Sequence, residues 1–157
     1  MQKITPFLWF DNNAEEAVNF YTSIFKDSKI TNMSRYSEAG PGPAGSVMVA
    51  NFTLNGQEFM AINGGPVYKF TEAISFVINC ENQEELDHYW EKLTADGGSP
   101  VQCGWLKDKF GLAWQVVPTA IGKLMSGDPS RSAKVAKALY KMIKIDIAEL
   151  QKAYDGE

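Results

Sequence analysis

Hydrophobic positions along this chain change period several times, and each change marks an element. Residues 4–10, ITPFLWF, form a short apolar run that ends at Asp11, Asn12 and Asn13. From there Ala14, Ala17, Val18, Tyr21 and Phe25 recur at helical spacing. A stripe of that period predicts an amphipathic helix with one buried face. Asn13 stands where a cap accepts free amides of the first turn, and Glu15 and Glu16 follow where the helix dipole favours acids. Strand patterns come next at about 28–37, 46–54 and 57–63, with LNGQ (54–57) as an Asn-Gly hairpin turn. NGGPVYKF (63–70), rich in Gly and Pro, reads as a connection.

The pattern then starts again. FLWFDNNAEEAVNFYTSIF (7–25) falls without a gap on FVINCENQEELDHYWEKLT (76–94), so Asn13 meets Asn82 and Phe20-Tyr21 meets Tyr89-Trp90. Leu86, Tyr89, Trp90 and Leu93 form the second apolar stripe, which makes Trp90 a core residue and leaves His88 facing solvent. Strands follow at about 100–108 and 112–117, with a short extra strand near 99–102. Each unit is therefore strand, helix, then up to three antiparallel strands, βαβββ twice, an α+β fold. The units run over about 1–63 and 73–118 of a paired region 1–125. Residues 126–157 are a helical extension within the same single domain. In it Asp128 caps a helix with Pro129 at its first position, predicted through 143, and Asp146 caps another through Tyr154.

Charge removes several function classes. The net charge is −4 and the Lys and Arg residues are scattered, without the basic stripe a nucleic-acid groove needs. No run reaches the roughly 18 apolar residues of a membrane span, and no basic segment precedes 4–10 to make a signal peptide. Cys80 and Cys103 are too few for a disulfide framework, and the chain reads as cytoplasmic and reduced.

Two βαβββ units with a capped first helix resemble the vicinal oxygen chelate superfamily of glyoxalase I, bleomycin-resistance proteins and extradiol dioxygenases. FY at 20–21 is typical of its first helix, and DKFGLAWQ (108–115) resembles its hairpin motif at Asp108 and Gly111. GWLKDKFGLAWQVVP, NGGPVYKFTEAISF and FYTSIF resemble its PhnB-like branch, which often carries the label 3-demethylubiquinone-9 3-methyltransferase. The resemblance implies two half-barrels that enclose a pocket. It also implies metal ligands, in metal-dependent members, at Pro6, at Met60 or Ala61, at Ser75 and at Gln115. Proline, methionine and alanine are not the hard donors such ions use, so no metal is expected.

No cofactor is expected either. GPGPAG (40–45) has the Gly spacing of a nucleotide loop, but Pro41 and Pro43 remove amides and a strand pattern follows it, so it reads as a strand connection. If Gln115 faces the pocket, Trp114 and Val116 face the helices. By the same period Ser75, Val77 and Asn79 in one unit, and Pro6, Leu8 and Phe10 in the other, are pocket-facing. Asn63 joins them on parity with Ala61, and Trp105 is either an aromatic wall or core. Asp108 reads as a turn residue whose carboxylate accepts its following amides. Cys103 has no histidine partner and is not a nucleophile.

The candidate ligand residues are thus Leu8, Asn63, Ser75, Trp105 and Gln115, with Trp9 and Phe52 as further apolar lining. They suit a protein that binds an unidentified small molecule. An enzyme on a small metabolite and an assembly module acting through the C-terminal helices are the alternatives. A homodimer is expected, because curved sheets leave open edges and SVMVANFTL and AISFVIN carry more apolar side chains than one helix covers. The rival cover is the tail itself, through Val135, Leu139, Ile143, Ile147 and Leu150.

Overall fold

The computed structural model describes residues 2–157. The chain forms two compact units, Met1–Phe70 and Thr71–Glu157. In the first, β1 (Phe7–Phe10) leads to α1 (Ala14–Ile24), then β2 (Lys29–Arg35), β3 (Val47–Leu54) and β4 (Gln57–Asn63). The sheet order is β1-β4-β3-β2, with β1 parallel to β4 and the other pairs antiparallel. In the second, β5 (Ser75–Cys80) leads to α2 (Gln83–Thr94), a 3₁₀ turn (Ala95–Gly97), β6 (Ser99–Pro100), β7 (Trp105–Lys107) and β8 (Ala113–Pro118), in the order β5-β8-β7-β6. The repeated βαβββ pattern is present in both units.

Each helix covers one face of its own sheet. Ala14, Ala17, Val18, Tyr21 and Ile24 of α1 are buried, and so are Leu8, Phe10, Ala50, Phe52, Phe59 and Ala61 of its sheet. In the second unit Leu86, Tyr89, Trp90 and Leu93 of α2 are buried, as are Ile78, Cys80, Leu106, Trp114 and Val116. His88 is exposed, with its ring edge against Tyr89.

Capping follows the sequence at Asn82, Asp128 and Asp146, whose side chains accept from the amides of Glu85, of Ser130 and Arg131, and of Glu149. At α1 it does not. Asn13 makes no capping bond, and the Ala14 amide donates instead to Asn63 Oδ1 at 2.8 Å. Asn63 Nδ2 donates to the Val47 carbonyl at 3.0 Å, so one buried amide closes the helix end onto two strands.

The tail forms α3 (Ile121–Ser126), α4 (Pro129–Leu139) and α5 (Ile147–Asp155). Helix α4 ends four residues short of the predicted 143, because 140–146 turn back to dock on the unit. Ile145 is fully buried, Gln83 Nε2 donates to its carbonyl at 3.1 Å, and Gln83 Oε1 accepts from the Ile147 amide at 2.9 Å. Val135 and Leu150 are also buried, whereas Ile143 is exposed. The tail does not cover the sheet's open face, where Val77 is 49% exposed.

Candidate functional site

The second unit's open face carries the convergent polar groups. Parallel pairing sets Ser75 opposite Ala113 and Val77 opposite Gln115, and antiparallel pairing sets Trp105 opposite Gln115 and Lys107 opposite Ala113. Directly opposed residues share a face. Ser75, Val77, Trp105, Lys107 and Gln115 therefore form one surface, away from α2. The parity of Trp105, open in the sequence, is settled by its partner: it stands beside Gln115 and not in the core.

Gln115 Nε2 donates to Ser75 Oγ at 3.0 Å. That leaves Gln115 Oε1 as an acceptor and the Ser75 hydroxyl proton as a donor, both on half-buried residues. Lys107 pairs with Glu72, and that contact holds the Glu72 carboxyl below its ordinary range. The face thus presents an aromatic wall, an apolar floor at Val77, a donor–acceptor pair and a neutralised ion pair.

Asp108 lies beside this face without belonging to it. It is 3% exposed, its Oδ1 accepts from the amides of Phe110 (2.9 Å) and Leu112 (3.1 Å), and its Oδ2 accepts from the Trp114 indole at 2.9 Å. The carboxylate builds the turn, as its place before Gly111 indicates, and also satisfies the one polar atom of a core tryptophan.

The first unit differs from the sequence reading by one residue of phase. Leu8 and Phe10 face α1, while Phe7 (53% exposed) and Trp9 lie on the open side with Met60 and Ile62, their register partners. Three residues separate Phe10 from α1, but only two separate Cys80 from α2. The ungapped overlay aligns the helices and slips the strands, and a one-residue slip exchanges the two faces. Leu8 is accordingly a core residue here; Phe52 is buried as well and also borders a cleft of this unit. Phe7 opposes Met60 as Val77 opposes Gln115, so the position matching Ser75 is Thr5 rather than Pro6. Thr5, Met60, Asn51 and Glu58 line a cleft of about 220 Å³. Of the two positions offered by sequence, Met60 faces it and Ala61 is core.

The NGGP segment fixes Trp9. An added Cβ on Gly64 would stand 2.2 Å from the Trp9 ring, and the indole N–H donates to the Gly65 carbonyl at 2.9 Å. Tyr68 meets the same ring edge-on. Asn63 borders a separate cleft of about 310 Å³ with Asp11, Asn12, Tyr36 and the Pro41–Pro43 loop, where the Tyr36 hydroxyl donates to the Asn63 carbonyl at 2.7 Å. The GPGPAG loop joins β2 to β3, two antiparallel strands, and packs Gly42 on the Tyr36 ring.

The remaining reactive groups are quiet. Burial pushes the Cys80 thiol up to about 12. Cys103 Sγ donates to the Leu139 carbonyl at 3.6 Å. Among the described residues no group of three or more His, Cys, Asp or Glu side chains stands close enough to hold a metal ion, and no helix is long and apolar enough to cross a membrane.

A family model described as 3-demethylubiquinone-9 3-methyltransferase matches residues 2–117. Among solved structures, a PhnB protein from Bacillus cereus is 45% identical, over 75% of this chain and 100% of its own, with a TM-score of 0.71. A Pseudomonas aeruginosa protein is 23% identical over 75% and 98%, with a TM-score of 0.62. The fosfomycin resistance protein FosX from Listeria monocytogenes is 14% identical over 73% and 89%, with a TM-score of 0.50. The last two show a likeness of fold alone. No curated protein matches the chain.

Proposed function

The chain belongs to the 3-demethylubiquinone-9 3-methyltransferase family, the PhnB-like branch of the vicinal oxygen chelate superfamily, and from that premise we propose that it binds a small organic molecule without the superfamily's metal. One observation carries the reading. The open face beside Trp105 offers a free amide oxygen and a free hydroxyl proton on a pair already oriented by their mutual bond. A few placed polar groups within an apolar and aromatic surface are what fix a small ligand. With Lys107 already neutralised by Glu72, the favoured ligand is neutral, flat and able both to donate and to accept a hydrogen bond.

The donor chemistry supports metal independence. At the positions the superfamily uses for ligands, the first unit has Thr5 and Met60, and the second has Ser75 and Gln115. Two neutral hydroxyls, a thioether and a carboxamide lack the imidazole or carboxylate character that borderline divalent ions require. The free Cys80 and Cys103 suit a reduced, cytoplasmic setting.

A thermal-shift screen of neutral aromatic metabolites, with and without a chelator, tests this. A binding compound raises Tm equally in both conditions and loses its effect in Gln115→Ala and Trp105→Ala. Binding that disappears with chelator and returns with a divalent ion would contradict it.

The family description favours a second reading, methyl transfer. It requires S-adenosylmethionine to bind, and isothermal calorimetry with that compound decides it: micromolar affinity supports transfer, whereas no heat leaves the binding role. Pairing with a second copy remains part of the proposal, because Phe7 and Val77 are each exposed on the open face of their own sheet. Light scattering on a sizing column should give twice the mass of one chain.

A further inference from the structure

The family match ends at residue 117, yet the tail beyond it reaches back to the strand that carries Trp105. The amide of Cys103 donates to the Met142 carbonyl and the amide of Gly104 to the Ile143 carbonyl, each at 2.9 Å. These two residues form a turn with both φ angles positive, 60° at Cys103 and 83° at Gly104. A residue with a Cβ resists that conformation, so Cys103 holds it only where neighbours fix it. Gly104 has no room for a side chain, since a Cβ would stand 2.8 Å from Ile145 Cδ1 and from the Val116 carbonyl. The Gly104 carbonyl in turn accepts from the Val116 amide at 2.8 Å, and the next residue is Trp105.

The segment 142–147 is itself pinned. Gln83 bridges the Ile145 carbonyl and the Ile147 amide, and Lys144 pairs with Asp87 at 2.8 Å. A continuous path of bonds therefore runs from the start of α2, through the docked tail, to the turn that launches β7.

We propose that the C-terminal helices are a positioning device for the ligand face: they hold the Cys103–Gly104 turn left-handed, and the turn sets Trp105 beside Gln115. The device rests on the reading of that face as a binding surface. Gln83 and Ile145 are then positioning residues that touch no ligand.

The test uses the full chain labelled with 5-fluorotryptophan, in which Trp105→Phe assigns one of four resonances. Gln83→Ala and Ile145→Ala should shift or broaden the Trp105 signal and leave the Trp9 signal unmoved. Amide exchange at Cys103 and Gly104 should rise about tenfold or more. Lys152→Ala, which breaks only an exposed pair within α5, should change neither. An unmoved Trp105 signal with unchanged exchange in folded Gln83→Ala would overturn the proposal, whether or not Ile145→Ala folds. Affinity for the neutral, flat probe N-phenyl-1-naphthylamine separates the two layers. Weakening by about tenfold in Gln83→Ala is expected, a loss of about 1.4 kcal/mol. Equal affinity in Gln83→Ala despite a moved resonance would also overturn the proposal. Wild-type affinity retained in Trp105→Ala would instead count against the ligand face, leaving the link from tail to turn measured by exchange.

Discussion

Replacing Asp108 by asparagine changes almost no volume but reverses one hydrogen bond. Oδ1 can still accept from Phe110 and Leu112, while the new amide NH₂ meets the Trp114 indole N–H, donor against donor, inside a region where both residues are about 3% exposed. The loss of one bond to a charged acceptor, plus an unsatisfied buried donor, costs about 2–3 kcal/mol. Asp108→Ala strands three donors and should cost about 3–5 kcal/mol. In urea, with a slope of about 2 kcal/mol per molar, the midpoint of Asp108→Asn should fall by about 1 M. Trp114→Phe removes the opposing donor, so the double variant with Asp108→Asn should be more stable than the sum of the two losses by about 1 kcal/mol or more. An Asp108→Asn stability within the scatter of surface variants, about 0.5 kcal/mol, would refute the turn-and-indole role.

Gly64→Ala should destabilise by about 2–4 kcal/mol, because the Trp9 ring must move and its bond to Gly65 is lost; an unchanged Tm and tryptophan emission would contradict the close packing. The Asp87 carboxyl is held below its ordinary range chiefly by its bond to Lys144, then by Gln83. A lowered folded value means that its stabilisation is present above the unfolded value and is lost as pH falls through the folded one. Asp87→Asn should therefore flatten the acid limb of Tm against pH and leave the neutral region parallel to wild type; an identical acid limb would show that the pair is not coupled to folding. At mildly alkaline pH iodoacetamide should modify one thiol per folded chain, Cys103, and two after unfolding, since the Cys80 thiol is raised to about 12. Fast native modification of Cys80 would contradict its burial.

Most of the fold was legible because its signals are local. Helical stripes, Asn and Asp caps, the Asn-Gly hairpin and the acidic first turns each lie within a few residues of what they specify. The candidate site was legible where an uninterrupted pattern could be counted: Gln115 and Ser75 fall on one face, and Trp114 and Asp108 have the roles their spacing suggests. The first unit failed at Leu8 because one extra residue between Phe10 and α1 changes strand parity while leaving helix spacing intact, and apolar residues on both faces of FLWF hide the shift. Asn63 shares the face of Ala61, as parity requires, but that is the face turned to α1 and not the open face expected for a pocket. That face is buried, and only tertiary structure shows its amide replacing Asn13 as the cap of α1. Trp105 stayed open because β7 is three residues long, too short to establish a period, and the turn before it is shaped by residues some 40 positions later.

A native mass spectrum of the intact, undenatured protein bears most directly on metal-free binding of a small organic molecule. The expected spectrum shows twice the chain mass with an organic adduct that denaturation releases and Gln115→Ala lacks, and no increment from a transition metal. A stoichiometric Zn, Ni, Mn or Fe on each chain, lost together with any bound molecule on chelation, would contradict it.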